Sequence, residues 1–302
     1  MLQPLRSGVM KKLFKVLGII IVVIVIGIIL LIIQFINDQK IQAIDQKAMV
    51  KTDEELIGEH LYIERENKED VDINVYTANS EGKVPLVINI HGGAFIAGDA
   101  DTLDTQSDRI SKNWNVVVAT VNYKLLSDKY DKQYAIDEIK DTVKYFIDNS
   151  DKYNVDTDNI FILGYSAGGF YAMASALQLH KENIRVKGQI LCYAFLSDIL
   201  DQYKKLGDEE KKTIADALFI LAGDEPIGKG SLDYEKVLKE NGVSTEVKIY
   251  DNVKHGFIEE NNPEYEKLHD KNKTSKSKEA EVIAREAEDY MNAWIKKLVD
   301  KN

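Results

Sequence analysis

Hydrophobic positions along this chain follow different patterns before and after residue 40. Between Lys15 and Asp38 no residue is charged, and residues 17–33 are almost entirely Ile, Val and Leu. From about His60 onward, short runs of β-branched and aromatic residues alternate with stretches of helical apolar spacing. The first pattern is typical of a membrane-spanning helix. The second is typical of a mostly parallel sheet covered by helices on both faces.

The charge-free segment is long enough to cross a bilayer. Residues 16–37 would form a helix of roughly 33 Å, against a hydrocarbon core of about 30 Å. A cleavable signal peptide would have an apolar region of about 7 to 15 residues followed by small residues, whereas Gln34 to Asp38 follows here. A buried core helix is disfavoured because one small domain needs no segment so uniformly apolar. We therefore predict a basic segment at 1–15, an anchor at 16–37, a tether at 38–56 and a folded domain at 57–302.

Four basic residues precede the predicted anchor: Arg6, Lys11, Lys12 and Lys15. Positive charge tends to stay on the cytoplasmic side of a membrane. We therefore expect a single-pass protein of the cell membrane whose folded domain, residues 57–302, is extracytoplasmic.

The body of the chain predicts a doubly wound sheet. Two helices are indicated between the strands, over residues 134–149 and 166–180, and a third near the C-terminus ends at about Leu298. The expected strands cover residues 61–65, 71–76, 85–90, 115–121, 160–163, 188–192, 217–221 and 245–250.

Charge and cysteine content exclude several classes of function. Beyond residue 40 the chain carries 34 basic and 49 acidic residues, which would repel a phosphate backbone, so we expect no nucleic-acid partner. The single cysteine, Cys192, lies in an apolar run and is expected to be buried, and one cysteine can form neither a disulfide nor a cysteine metal cluster. We predict no cofactor and no metal site.

A serine follows one predicted strand and begins a helix. The run from Gly164 to Gly169 contains Gly-x-Ser-x-Gly with Ser166 at its centre. A sharp strand-to-helix turn exposes such a serine, the glycines let the chain pass closely beneath it, and the helix N-terminus stabilises nearby negative charge. This context predicts Ser166 as a nucleophile.

Glycines also follow the strand at residues 85–90, in the run from His91 to Phe95. Backbone N–H groups there can face a developing oxyanion, and we expect Gly92 or Gly93, with the N–H of Ala167, to form an oxyanion hole. A simple glycine turn would leave the position after the strand unexplained. His91 is expected to brace this loop.

His255 comes after the last predicted strand, so it follows Ser166 in the chain order expected for a serine nucleophile on a strand-to-helix turn. A neutral imidazole there can take the serine proton and return it to the leaving group. His60, His180 and His269 have no comparable setting and are expected to be structural or exposed. The acid that orients His255 should be Asp224 or Glu225, and position alone does not separate them.

Together these motifs resemble the hormone-sensitive-lipase-like branch of the α/β hydrolases, which includes many bacterial carboxylesterases and acetyl esterases. The resemblance covers about residues 80 to 260 and is carried by His-Gly-Gly-Ala-Phe at 91–95, Gly-Tyr-Ser-Ala-Gly-Gly at 164–169, and His-Gly-Phe at 255–257, with Asn-Tyr-Lys-Leu at 122–125. It implies the α/β-hydrolase fold, and its usual acid directly precedes a proline, which favours Glu225 over Asp224. Tyr165 departs from the family, which usually has Asp there.

The resemblance also bears on the substrate. Members of the family build part of a cap between the strands near Cys192 and Ala217, and only residues 193–216 are available here. A reduced cap leaves less apolar wall over an acyl chain, so we expect short acyl groups such as acetyl, on a small molecule or a bulky cell-surface glycan. The alternatives are a serine peptidase of the same fold and a non-catalytic, membrane-tethered binding protein.

Overall fold

The computed structural model describes residues 50–196, 213–223, 228–267 and 278–301, and the isolated positions 14, 17, 27, 203, 207, 211 and 225. The chain divides into two compact units, residues 1–44 and 45–302. Residues 14, 17 and 27 of the first unit are helical. The rest of the predicted anchor and most of the tether lie outside the described residues. Among the residues that are described, no helix has both the length and the apolar character needed to cross a membrane.

The second unit is built on one eight-stranded sheet in the order β1-β2-β4-β3-β5-β6-β7-β8. β2 pairs antiparallel with β1 and with β4, and the other neighbours are parallel, so the predicted mostly parallel sheet is confirmed. The strands are β1 (Glu59–Ile63), β2 (Val71–Tyr76), β3 (Val84–Ile90), β4 (Val117–Val121), β5 (Val155–Tyr165), β6 (Gly188–Cys192), β7 (Asp216–Ala222) and β8 (Thr245–Tyr250).

Helices cover both faces of this sheet. In chain order they are α1 (Asp104–Trp114), α2 (Lys132–Asp148), α3 (Ser150–Tyr153), α4 (Ala167–Lys181), α5 (Gly228–Glu240) and α6 (Lys278–Val299). Residues of α2, α3, α4 and α5 share one hydrophobic cluster, and residues of α1 and α6 share the other. Alternate strand residues point to opposite faces, as in β5, where Ile162 belongs to the first cluster and Phe161 to the second. The central strands are therefore buried on both sides.

Three helices, α1, the four-residue α3 and α5, were not predicted from apolar spacing. The side of α1 that faces the sheet carries Gln106, Ser107 and Ser111, all fully buried, beside Ile110 and Trp114. These polar positions hide the helical period that hydrophobic residues would have shown. Their hydrogen bonds compensate for burial: Asn89 of β3 donates to Ser107 Oγ over 3.0 Å, and Ser107 and Thr120 hydroxyls lie 2.8 Å apart.

The end of the predicted tether packs against α1 of the second unit. The backbone N–H of Lys51 donates to Asp101 Oδ2 at 2.7 Å, and the Lys51 ammonium contacts Asp104 and Glu264. Asp104 also accepts from the backbone N–H groups of Ile57 and Gly58. Residues 50–58 are thereby fixed to α1. Most of the segment in which a reduced cap was predicted, including residues 197–202, lies outside the described residues.

Candidate active site

Ser166 lies on a strained turn between β5 and α4. Its backbone has φ 51° and ψ −114°, a conformation that L residues rarely adopt. A Cβ at Gly164 would lie 2.2 Å from the carbonyl oxygen of Gly168, and one at Gly168 would lie 2.3 Å from that of Ile90. No side chain fits at either position. The two glycines therefore allow the close packing that holds the serine at the edge of the sheet.

Three predicted side chains meet at the carboxyl ends of the strands. Ser166 follows β5, Glu225 follows β7 and His255 follows β8. His255 Nε2 lies 2.8 Å from Ser166 Oγ, and its Nδ1 lies 2.5 Å from Glu225 Oε2. The structure thus joins Ser166, His255 and Glu225 by hydrogen bonds. Asp224, the alternative acid, lies outside the described residues.

The electrostatics of this chain suit an imidazole that accepts a proton. Burial alone would lower the pKa of His255, but the hydrogen bond and charge of Glu225, with the charges of Glu259 and Glu260, raise it above its ordinary value. The Glu225 side chain is only 5% exposed, so little water screens its interaction with the ring. An imidazolium formed at His255 would be stabilised by this carboxylate.

The glycine loop after β3 lies beside Ser166. A Cβ at Gly92 would sit 3.4 Å from Ser166 Cβ, and positive φ angles continue through Gly93 (118°), Ala94 (52°) and Phe95 (70°). Ala167 occupies the first position of α4, where a helical N–H has no intrahelical acceptor. The glycine loop at Gly92 and the first residue of α4 therefore both lie next to Ser166.

His91 supports this loop from within. It is 1% exposed, its Nδ1 lies 2.7 Å from the carbonyl oxygen of Gly92, and its ring stacks on Tyr123 at 4.2 Å. Burial lowers the pKa of His91 to about 4, which keeps the ring neutral at ordinary pH. The Tyr123 hydroxyl donates to the carbonyl oxygen of His91 over 3.2 Å. His91 thus occupies the bracing position that the sequence predicts.

The other histidines lie away from Ser166 or outside the described residues. His60 is held between Asp53 and Asp72 at 2.7 Å each, and His180 Nε2 lies 3.1 Å from the Thr213 hydroxyl. His180 also borders a cavity of about 680 Å³ at the amino ends of β6 and β7, the sheet edge opposite Ser166. His269 is among the residues not described.

Tyr165, the position that departs from the family, turns away from the site. Its side chain is fully buried in the second hydrophobic cluster, with its ring 6.2 Å from that of Tyr193. Its hydroxyl has no hydrogen-bond partner within the described part of the chain. Tyr165 therefore fills the core beneath the turn and leaves the contacts of Ser166 intact.

Aromatic side chains form an apolar wall next to Ser166. The backbone N–H of Phe195 donates to the carbonyl oxygen of Ser166 over 3.1 Å, and the Phe195 ring lies 6.1 Å from that of Phe95. Phe95 also packs edge-on against Phe170 at 5.5 Å. Ile96 and Phe195 are 49% and 40% exposed, so this wall faces solvent where an apolar part of a substrate could bind.

Sequence reasoning missed two buried residues at this site, Glu259 and Tyr193. Glu259 lies four positions after His255 and beneath Gly92, and the Tyr193 hydroxyl donates to its carboxylate. A glutamate in a loop is usually solvated, so nothing in the sequence separates Glu259 from the other acids. Tyr193 directly follows an apolar strand, so its place in the sequence predicts an ordinary core residue.

Part of the chain is similar to known hydrolases. A family model described as alpha/beta hydrolase fold matches residues 87–214. The chain is 33% identical over 138 residues to the arylacetamide deacetylase of Oryctolagus cuniculus, covering 43% of this chain and 34% of that protein. It is 32% identical over 116 residues to an acetyl esterase of Salmonella dublin, covering 38% and 35%. The match spans about a third of the length of each of these relatives.

Solved structures share the fold over most of the chain. A hyperthermophilic esterase from Pyrobaculum calidifontis superposes with a TM-score of 0.65 and 23% identity, covering 86% of this chain and 91% of that one. A Rhizomucor miehei esterase structure gives a TM-score of 0.68 at 18% identity, covering 86% and 90%. At such identities the likeness establishes the fold. With the family match over residues 87–214 and the turn at Ser166, it shows that this chain has the α/β-hydrolase fold.

Proposed function

We propose that this chain is a membrane-anchored serine carboxylesterase that hydrolyses short-acyl esters through an acyl-enzyme on Ser166. The observation that carries the proposal is the hydrogen-bonded series Ser166, His255 and Glu225, with the glycine loop at Gly92 next to Ser166. A nucleophile, a base and an acid that orients the base thus lie together, next to a loop whose backbone N–H groups are suited to hold an oxyanion.

In the first half of the reaction, His255 Nε2 takes the proton of Ser166 Oγ as the oxygen attacks the ester carbonyl carbon. The tetrahedral oxyanion receives hydrogen bonds from the amides of Gly92 or Gly93 and of Ala167. The carbon–oxygen bond to the alcohol then breaks, and the alcohol leaves with the proton that His255 returns. An acyl group remains on Ser166.

Water completes the cycle. His255 removes a proton from a water molecule, which attacks the acyl carbon, and the same amides hold the second oxyanion. The bond to Ser166 Oγ breaks, Ser166 regains a proton from His255, and the carboxylic acid is released. Glu225 stabilises the imidazolium formed in each half of the reaction.

An ester substrate is supported by the relatives, which bear the names acetyl esterase and arylacetamide deacetylase. The chain segment between β6 and β7 is too short for a full cap. A reduced cap supports a small acyl group, such as acetyl, on a small molecule or a cell-surface glycan. The charge-free residues 16–37 and the basic residues before them support an anchor in the cell membrane with the catalytic unit outside.

The proposal is tested on the full chain purified in detergent. Hydrolysis of chromogenic esters is measured from acetate to decanoate for the wild type, Ser166→Ala and Ser80→Ala, the last in a loop at the opposite sheet edge. We expect the highest kcat/KM on acetate, loss of turnover in Ser166→Ala and wild-type turnover in Ser80→Ala. Turnover that survives in Ser166→Ala contradicts the mechanism, and a preference for decanoate contradicts the short-acyl assignment.

The anchor and its orientation are tested on cells that produce the full chain. We expect the protein to stay with membranes through alkaline carbonate washing, and added protease to degrade it in intact cells or spheroplasts. Extraction by carbonate would contradict the anchor. Degradation confined to broken cells would contradict an extracytoplasmic catalytic unit.

A further inference from the structure

A buried carboxyl group lies beneath the proposed oxyanion site without belonging to the series formed by Ser166, His255 and Glu225. Glu259 is 5% exposed and begins a short 3₁₀ helix, Glu259–Asn261. Burying a carboxylate is costly unless it is paired, so its neighbours matter. A Cβ at Gly92 would lie 2.8 Å from Glu259 Oε1, which places this oxygen against the backbone of the glycine loop.

The other oxygen of Glu259 accepts a hydrogen bond from the Tyr193 hydroxyl. Tyr193 follows β6 and has a φ of 37°, which is rare for a bulky residue. Its backbone N–H is held by the carbonyl oxygen of Ile220 at 2.7 Å. This conformation directs the phenol ring under His255, where the two rings meet edge to face at 5.0 Å. The strained backbone thus serves a contact with the imidazole.

Glu259 and Tyr193 together contact the glycine loop and His255, which the proposed mechanism needs side by side. The glycine loop follows β3, and the loop of His255 follows β8, at the far edge of the sheet. Separate strands carry these loops, so their relative position depends on side chains that bridge them. A displacement of about 1 Å at a reacting group can cost a hundredfold in rate.

We propose that Glu259 and Tyr193 form a positioning pair that fixes the His255 imidazole relative to the amides of Gly92 and Gly93. This inference rests on the proposed esterase function. The Glu259 carboxyl group packs against the glycine loop and accepts a hydrogen bond from the Tyr193 hydroxyl. The Tyr193 ring packs against the His255 ring, so the position of the imidazole depends on that of the glycine loop.

Charge supports the same coupling. Burial raises the pKa of Glu259 to about 7, while the Tyr193 hydrogen bond and the charge of His255 oppose the rise. An ionised Glu259 favours a protonated His255, because its negative charge raises the pKa of the imidazole. The titratable groups facing Glu259 among the described residues are Tyr193, Tyr165, Cys192, Tyr123, Tyr265, His255 and Glu260.

The test uses Glu259→Gln, Tyr193→Phe and the double variant in the full chain. Glutamine keeps the shape of the carboxyl group, but it replaces the charge-assisted hydrogen bond from the Tyr193 hydroxyl by a neutral, weaker one and so loosens the pair. We expect each single variant to lower kcat on acetate esters about tenfold or more with little change in KM. The double variant should lose about as much as a single one, because each substitution disrupts the same pair.

A second readout does not depend on turnover. The titration of His255 is followed by NMR on histidine-labelled protein, with His255→Asn to assign its signal. We expect Glu259→Gln to lower the pKa of His255 by about half a unit or more, since a neighbouring negative charge is lost. The acid limb of the kcat/KM profile should move to lower pH by the same amount.

Glu260→Gln is the matched control. It removes a charge that also raises the pKa of His255, but its carboxylate lies beside Gly256 instead of Gly92. We expect wild-type kcat in this variant at the pH plateau. Thermal unfolding of each variant identifies any that fails to fold.

The outcomes separate the two proposals. Wild-type kcat and an unshifted His255 titration in both Glu259→Gln and Tyr193→Phe would overturn the positioning pair while leaving the esterase intact. Equal losses of kcat in Glu260→Gln would also overturn it. A wild type that hydrolyses no ester would refute the proposed function, and the His255 titration would still decide whether the pair acts on the imidazole.

Discussion

The substitution Gly93→Ala tests whether the glycine loop is held in one strained conformation. Gly93 has a φ of 118°, and a Cβ added there would lie 2.0 Å from the carbonyl oxygen of Ala97, far inside van der Waals contact. That carbonyl cannot simply move, because the Ala97 N–H donates to Gly93 O at 2.9 Å and closes the turn. Backbone strain costs about 1–3 kcal/mol, and the clash must displace the loop in addition.

The expected loss of activity follows from that displacement. Removing one oxyanion donor costs roughly 10²–10³ in rate, or about 3–4 kcal/mol of transition-state stabilisation. We therefore expect kcat/KM on an acetate ester to fall by about two orders of magnitude or more in Gly93→Ala. The protein should also unfold at a lower urea concentration than the wild type.

Alanine substitutions at two other glycines distinguish the effect of backbone strain from that of the steric clash. Gly242 has a φ of 82° with nothing within 4 Å of an added Cβ, and Gly82 is equally open without a positive φ. Gly242→Ala should lose about 1 kcal/mol of stability and no activity, and Gly82→Ala should lose neither. Enzyme assays and urea unfolding of the three variants check these values. If Gly93→Ala behaves like Gly82→Ala in both assays, the loop is not held as described.

Three further predictions concern single contacts. Glu225→Gln should lower kcat and shift the acid limb of the pH–rate profile to lower pH, because the carboxylate raises the pKa of His255; an unshifted profile would argue against Glu225 as its partner. Lys51→Met should cost about 2 kcal/mol in urea unfolding, because it removes the positive charge that Lys51 places beside the buried Asp104 and Glu264; Lys83→Met, whose partner is exposed, should cost about 0.5 kcal/mol or less. Tyr165→Phe should leave kcat and stability unchanged, since its hydroxyl has no partner among the described residues; a loss of stability would reveal one.

Much of the sheet could be predicted because parallel strands are buried on both faces. Such strands appear in the sequence as continuous apolar runs bounded by polar residues. β6 and β8 have the bounds that their runs predict, while β5 extends from Val155 to Tyr165, beyond its apolar run at residues 160–163. Its added residues include the exposed Thr157 and Asp158, which no hydrophobic pattern can mark as strand.

The residues around the site also fall into those that a sequence pattern identifies and those that it does not. Ser166, Gly92, Gly93 and His255 were found because each lies at a fixed place relative to a strand, and the fold brings the strand ends together. The choice between the two neighbouring acids depended on a family resemblance, because only the direction of the chain after β7 decides which side chain meets His255. The structure describes Glu225 at 2.5 Å from His255 Nδ1, while Asp224 is outside the described residues.

Buried acids are the part of this molecule that sequence patterns could not reveal. In a chain with 50 acidic residues, each carboxylate is expected on the surface by default. Asp104, Glu259 and Glu288 are nevertheless 5% exposed or less. Each is stabilised by donors from distant parts of the chain, such as the Tyr76 hydroxyl at 2.8 Å from Asp104 and the Arg109 guanidinium at 2.8 Å from Glu288.

These carboxylates lie where elements must be held without large apolar side chains. Asp104 fixes residues 50–58 against α1, and Glu288 joins α6 to α1 through Arg109 and Gln106. Glu259 lies so close under Gly92 that its Oε1 would be 2.8 Å from a Cβ added there. A hydrogen-bonded acid fixes direction as well as distance, which packing alone does less well. These acids pair with residues that are distant in the chain, so sequence patterns do not reveal them. The same long-range pairing is what suits Glu259 to align the two loops around Ser166.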